Sequence, residues 1–95
     1  MAKGYVIARA TVTNASQWAL YAAAAGEAIK KYGGTPLARG GQMTVAEGAG
    51  VARNVVLEFA SYDAAKTYAF SPEYAAARKL REGAGSIDIV VVEGA

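Results

Sequence analysis

The sequence predicts an α+β protein of the ferredoxin-like class, with an antiparallel sheet that carries both helices on one face. Segments with strand and helix periodicity follow one another as strand, helix, strand, strand, helix, strand, which is the order of that βαββαβ plan. The chain has 95 residues, enough for one hydrophobic core but not for two. We therefore expect a single domain over residues 1–95.

The central strand is predicted at Arg53–Phe59. Side chains alternate between the two faces of a strand, so three apolar residues of this run share one face while Val56 and Glu58 share the other. Both faces are apolar except at Glu58. This pattern is typical of a strand in the middle of a sheet that is covered on both sides.

The first strand and first helix are predicted from residue 5 to residue 32. Tyr5–Val12 alternates so that its wholly apolar set faces the helices, which places Arg9 on the opposite side of the sheet. Asn14 is a favourable N-cap, and Gln17 is placed to reach back to it as in a capping box. Gly33 suits the left-handed position that ends a helix.

The second strand is predicted at Thr35–Arg39. The pair Gly40-Gly41 interrupts it, and the alternation resumes at Gln42–Glu47, so we expect strands two and three to form a hairpin with a bulge at the glycines. The last strand is predicted at Ser86–Glu93.

The second helical region is predicted in two pieces. Ser61 caps the first piece, and Ser71-Pro72 provides a cap and an N1 proline for the second, which continues to about Arg81. The residue before a proline avoids helical angles. We therefore expect a break at Phe70–Ser71.

Composition excludes several functional classes. The chain has no cysteine and no histidine, which removes disulfides, thiolate nucleophiles and the commonest metal and haem ligands. Its net charge is +2 and its basic residues are scattered, so we expect no nucleic-acid or membrane partner. No apolar run approaches the roughly 20 residues of a membrane helix, and the N-terminus lacks a signal-peptide pattern. We expect a cytoplasmic protein without a cofactor.

The predicted plan leaves one sheet face without cover. Both helices lie on the same side, yet the predicted strands are apolar on both. An identical subunit, packed sheet to sheet around a two-fold axis, is the simplest second layer. We therefore predict a homodimer with a barrel-like α+β core.

Six short motifs, spread over nearly the whole chain, resemble the bacterial domain of unknown function DUF1330. They are Lys3-Gly4-Tyr5, Arg39-Gly40-Gly41, Val55-Val56-Leu57-Glu58-Phe59, Ser71-Pro72-Glu73-Tyr74, Arg81 and Val91-Val92-Glu93-Gly94. The resemblance implies a dimeric α/β-barrel relative of small ligand-handling and cofactor-independent enzymes. It implies no particular activity.

Glu58 is the candidate catalytic residue. Inside a dimer barrel, loss of water would raise the pKa of such a carboxyl group, which is one way to obtain an acid or base near neutrality without histidine. The alternative is an ion pair with Arg9 or Arg39 that only compensates a buried charge or anchors a ligand. The residues leave both roles open.

Other candidate ligand-binding residues are Tyr5, Arg9, Arg39, Gly40, Gly41, Tyr74 and Arg81. The Arg39 guanidinium and the backbone N–H groups that follow it suit a carboxylate or phosphate, although a simple β-bulge explains them equally. Tyr74, Arg78 and Arg81 share one predicted helix face. If that face borders the mouth of the barrel, Tyr74 and Arg81 would close over a small acidic or aromatic ligand. If it does not, Tyr74 packs in the core and the two arginines are solvated or contact Glu73 and Glu82 weakly. We place Arg78 on the surface, and Trp18 and Tyr21 in the core or at its rim.

Two functional hypotheses remain open from the sequence. The first is a homodimer that binds a small molecule between sheet and partner subunit, with Glu58 as acid or base in a cofactor-independent enzyme. The second is a non-catalytic dimerisation module in which the same polar residues form a buried network. A cavity lined by Glu58 and an arginine would distinguish them.

Overall fold

A computed structural model describes residues 2–95, which form a two-layer α+β fold. The elements in chain order are β1 (Gly4–Val12), α1 (Ala15–Lys31), β2 (Thr35–Arg39), β3 (Arg53–Phe59), α2 (Tyr62–Ala69), α3 (Pro72–Lys79) and β4 (Gly85–Glu93). The strands form one antiparallel sheet in the order β2-β3-β1-β4. The predicted ferredoxin-like class is confirmed.

The register of the sheet fixes which side chains share a face. Tyr5 on β1 lies opposite Glu58 on β3 and Val92 on β4, while Arg9 lies opposite Asn54 and Asp88. Val6, Ala8 and Ala10, the intervening residues of β1, are buried beneath the helices. Arg9 therefore projects from the other side, as predicted, and we call that side the open face.

The core lies between the helices and the sheet. Phe59 is almost completely buried, and its ring stacks on Tyr68 of α2 with 5.2 Å between centroids. Trp18 and Tyr21 of α1 meet edge to face at 5.1 Å, an arrangement that aromatic quadrupoles favour. Aromatic side chains from α1, α2 and β3 thus join the two layers.

The helix boundaries follow the predicted caps. Asn14 accepts a hydrogen bond from the backbone N–H of Gln17, as expected. The Gln17 side chain, however, was expected to reach back to Asn14, and that prediction is wrong. It donates to the carbonyl oxygens of Leu80 and Glu82, because the end of α3 presents carbonyl groups that lack helical partners beside it.

The break between α2 and α3 lies at Phe70–Ser71, where it was predicted. Ser71 donates its hydroxyl hydrogen to the carbonyl of Tyr68 and accepts a hydrogen bond from the N–H of Tyr74. The regular part of α3 ends at Lys79, two residues before the expected Arg81. The chain tightens there into successive three-residue turns, of which the bond from Arg81 N–H to the Arg78 carbonyl is one.

The predicted resumption of strand two at Gln42–Glu47 is wrong. Gly40 and Gly41 adopt φ angles of 71° and 82°, which turn the chain away from β3 after the bond from Gly40 N–H to the Asn54 carbonyl. The expected bulge lies earlier, between Pro36 and Ala38. We call residues 41–52 the flap. Among the helices of residues 2–95, none is long and apolar enough to cross a membrane.

Candidate functional site

A cavity of about 250 Å³ lies between the helices and the sheet. It exists because small side chains face one another across the two layers. Ala8 and Ala10 of β1 lie beneath Ala22, Ala25 and Gly26 of α1, and all five line the cavity. Layers held apart by the larger aromatic residues leave open space where alanine and glycine meet.

Four arginine side chains line this cavity, and no aspartate or glutamate does. They are Arg39 from β2, Arg53 from β3, and Arg78 and Arg81 from α3 and the turn that follows it. The rest of the lining is aliphatic or aromatic. A cationic site bordered by apolar walls attracts anions, because its low-dielectric surroundings weaken the screening of charge.

Arg81 carries an unsatisfied hydrogen-bond donor. Its guanidinium carbon lies 5.3 Å from the centroid of the Tyr21 ring, close enough for a cation–π contact. Its Nε atom is buried and has no hydrogen-bond partner among residues 2–95. A buried donor without a partner costs about 1–3 kcal/mol, and more in a charged group. An acceptor atom on a bound ligand would remove that cost.

Two tyrosines complete the wall beside Arg81. The hydroxyl groups of Tyr21 and Tyr74 are 2.8 Å apart and both side chains are buried. Burial, followed by the hydrogen bond to Tyr74, raises the pKa of Tyr21, and burial raises the pKa of Tyr68. The phenols of Tyr21 and Tyr68 are therefore neutral at physiological pH and do not act as bases.

Glu58 lies on the open face, away from this cavity. It accepts a hydrogen bond of 3.3 Å from the Tyr5 hydroxyl, and its carboxylate is 3.9 Å from the ammonium group of Lys3. Loss of hydration, and then the charge of Glu58, raise the pKa of Tyr5. With 29% of the Glu58 side chain exposed, the ion pair is weak.

Neither of the predicted partners of Glu58 pairs with it in residues 2–95. Arg9 donates instead to the carbonyl oxygen of Ala49 at 3.4 Å, and Arg39 lines the cavity on the other side of the sheet. The register explains the result. Glu58 lies opposite Tyr5, and Arg9 is four residues, about 13 Å, further along β1.

The structure thus divides the predicted site residues between two faces. Arg39, Tyr74 and Arg81 come together around the cavity, and Gly40 and Gly41 line an adjoining depression. Tyr5, Arg9 and Glu58 lie on the open face. Arg78 is exposed, as predicted.

Sequence reasoning missed three members of the cavity lining, namely Tyr21, Arg53 and Arg78. Arg53 lies two and four residues before Val55 and Leu57, which face the helices. This alternation indicates that Arg53 faces the helices too, and it could have been recognised in the sequence. Arg78 lies one helical turn after Tyr74 on α3, and that spacing was the corresponding signal. No group of three or more acidic residues in the described chain is placed to hold a metal ion.

Comparison with known proteins identifies the family. The sequence pattern described as domain of unknown function (DUF1330) matches residues 3–95. The chain belongs to the DUF1330 family. No curated protein matches it significantly.

Solved structures similar to this DUF1330 protein share its fold. A protein of unknown function from Rhodopseudomonas palustris is 16% identical, with a TM-score of 0.75 over 96% of this chain and 81% of that one. A dimeric protein of unknown function and ferredoxin-like fold from Bacteroides fragilis is 19% identical, with a TM-score of 0.57 over 96% and 95%. A proposed antibiotic biosynthesis monooxygenase from Caulobacter crescentus is 18% identical, with a TM-score of 0.62 over 99% and 91%. At these identities the similarity shows the fold alone.

Proposed function

We propose that this DUF1330 protein is a homodimer that binds a small organic carboxylate in the cavity between its helices and its sheet. One observation carries the proposal: four arginines and no acidic residue surround an otherwise apolar cavity, and one arginine nitrogen is buried without a partner among residues 2–95. The ligand's carboxylate accepts from Arg81, and its apolar body fills the space above Ala8 and Ala10.

The size and lining of the cavity define the ligand class. A volume of about 250 Å³ is below the range of about 300–1,000 Å³ typical of sites for drug-sized ligands. The rings of Trp18 and Tyr21 border the space on the α1 side. A monocyclic aromatic acid or a short-chain aliphatic acid meets both conditions.

The cavity favours binding over catalysis. Burial keeps Tyr21 and Tyr68 neutral, and the lining holds four arginines and no carboxylate, so the cavity offers neither a carboxylate nor a histidine as a general base for proton abstraction. The monooxygenase name of the Caulobacter crescentus protein therefore does not transfer to this chain. We assign Glu58 a structural role in place of an acid or base role, with Tyr5 and Lys3 as its partners instead of the expected Arg9 or Arg39, at the edge of the proposed subunit interface.

The open face supports the homodimer. Val90 and Val92 of β4 are 55% and 41% exposed there, beside Ile7 and Val56 of the central strands. The flanking charges balance, because Lys3 and Arg9 are positive while Glu58 and Asp88 are negative. A patch that is apolar in the centre and balanced in charge is complementary to a second copy of itself. The Bacteroides fragilis protein of the same fold is dimeric.

Calorimetric titration tests the ligand assignment. We expect benzoate, phenylacetate or hexanoate to bind, and their uncharged amides to bind at least tenfold more weakly. Arg81→Gln should lower the affinity for the acid to that for the amide. Glu58→Gln is the matched control on the other face and should bind like wild type. Equal binding of acids and amides would refute the proposal, and loss of binding in Glu58→Gln alone would move the site to the subunit interface.

A further inference from the structure

The first limb of the flap, Gln42–Ala46, has the extended shape and the alternating sequence of a strand, but it pairs with no strand in residues 2–95. Gln42–Ala46 contains no turn or bend and is exposed throughout. Its apolar residues alternate, with Met43 and Val45 on one side and Thr44 on the other. None of the backbone N–H and C=O groups of residues 42–46 bonds to another backbone group in residues 2–95. Because they are exposed, these groups are accessible to water and to the backbone of another strand.

The flap is nevertheless held in a defined shape. Met43 and Val45 fold over Gly50, so closely that a Cβ at Gly50 would lie 2.2 Å from a Val45 methyl group. At its base, Arg9 donates to the Ala49 carbonyl at 3.4 Å and Asn54 donates to the Val51 carbonyl at 3.0 Å. These two bonds hold residues 49–51 near β1 and β3, and the unpaired limb packs on that part of the flap through Met43 and Val45.

A second unpaired edge lies on the other side of the sheet. β4 is nine residues long, rich in valine and isoleucine, and pairs only with β1 in the described chain. A long apolar edge strand is a template for another strand, and proteins usually cover it. Each chain thus has one unpaired strand-like segment, which follows the edge strand β2, and a longer edge strand, β4, at the opposite side of the sheet.

The two features lie too far apart to pair within one chain. The order β2-β3-β1-β4 separates β2 from β4 by three strand spacings, about 14 Å. When two sheets pack face to face about a two-fold axis that runs parallel to the strands, however, the β2 edge of one subunit lies beside the β4 edge of its partner. This step rests on the homodimer proposed above.

We propose that Gln42–Ala46 of each subunit adds as a strand to the outer edge of β4 in a second copy of this chain. The two flaps then clasp the dimer symmetrically. Each covers an edge that is otherwise open to aggregation, and each satisfies its own backbone groups. Gly40 and Gly41 set the angle at which the segment leaves its own sheet.

Disulfide cross-linking tests the proposal, because the natural chain contains no cysteine. A single-cysteine Thr44→Cys protein is mixed with single-cysteine proteins altered at Ser86, Asp88, Val90 or Val92, and the mixtures are oxidised. We expect a covalent heterodimer with at least one β4 position. Leu20→Cys, on the exposed side of α1, replaces Thr44→Cys in the control and should give none. Because each variant chain has only one cysteine, any disulfide must join two chains.

Proline substitution gives a second measurement. Alternate residues of an antiparallel strand donate to a given neighbour. Of Thr44→Pro and Val45→Pro, at least one should therefore raise the dimer dissociation constant tenfold or more by light scattering. A dimeric wild type with no cross-link and no proline effect would overturn the clasp alone. A monomeric wild type would overturn both clasp and dimer, while the carboxylate titration still judges the cavity separately.

Discussion

The phenolic hydroxyl groups of Tyr21 and Tyr74 meet at 2.8 Å in the buried layer between α1 and α3. The Arg81 guanidinium lies over the Tyr21 ring, so the pair supports the group that we assign to ligand recognition. The sequence pattern could not predict this contact, because the two tyrosines are 53 positions apart.

The tyrosine pair should show energetic coupling. Tyr74→Phe leaves the buried Tyr21 hydroxyl without its partner, which costs about 1–3 kcal/mol of unfolding free energy. The double change to phenylalanine removes both polar groups and should cost less than the sum of the single changes. Urea unfolding of the wild type, both single variants and the double variant measures this difference. Strict additivity would contradict the contact.

Glu73 should make the free energy of unfolding depend on pH in the acid range. Hydrogen bonds from Lys31 and then from the Tyr32 hydroxyl, the latter at 2.7 Å, lower the pKa of Glu73 from 4.5 to about 2. A carboxyl group whose pKa is lowered by folding stabilises the protein above its unfolded pKa and loses that contribution as the pH falls. The stability advantage of wild type over Glu73→Gln should be complete above pH 4.5 and vanish near pH 2.

Urea unfolding between pH 2 and 6 measures this effect. Glu27→Gln, a change on α1 away from this ion pair, is the control and should show no comparable dependence on pH. A constant difference between wild type and Glu73→Gln across that range would show that Glu73 does not bridge α1 and α3.

Replacing Gly4 and Gly26 by alanine should have opposite effects on the stability of the protein. A Cβ at Gly4 would lie 2.1 Å from the backbone oxygen of Ser61, so Gly4→Ala forces β1 away from the start of α2 and should cost about 1–3 kcal/mol. Gly26 lies within α1, and a Cβ added there would meet nothing within 4 Å. Gly26→Ala should therefore stabilise the helix by about 0.5–1 kcal/mol. Thermal unfolding of both variants checks the signs.

Charge on the open face should dissociate the dimer. Val90→Lys places an ammonium group in the proposed interface and should raise the dissociation constant at least about tenfold, or 1.4 kcal/mol. Leu20→Lys is the matched control, because Leu20 is 61% exposed on α1, outside that face. Light scattering across a dilution series distinguishes the two. Equal dissociation of both variants would place the interface elsewhere.

Local rules were sufficient to predict most of the fold. The caps at Asn14, Ser61 and Ser71 act within four residues of themselves, and strand parity placed Arg9 and Glu58 on the face away from the helices. The failures are of another kind. Gln17 left its capping box for the carbonyl groups of Leu80 and Glu82, which are 63 and 65 residues away. Gln42–Glu47 has strand periodicity, but the turn at Gly40-Gly41 removes its pairing partner.

The site was predicted only in part for a similar reason. Arg39, Tyr74 and Arg81 were recognised as side chains suited to an anion, and they do line one cavity. Glu58 drew attention because a carboxylate stands out in an apolar strand. The cavity itself arises from the absence of bulk at Ala8, Ala22 and Gly26, and missing volume leaves no distinctive residue in a sequence.

The arginine lining has a consequence for how ligand binding would depend on pH. Guanidinium groups keep their charge at any pH a folded protein meets, and burial keeps the neighbouring Tyr21 neutral. The chain has no histidine and the cavity lining has no acidic residue, so the cavity lacks the side chains whose charge usually changes between acid and neutral pH. Retention of a weak acid would then follow only the ionisation of that acid. The protein would take it up wherever the acid is deprotonated and release it when its concentration falls, and the cavity itself would add no dependence on pH.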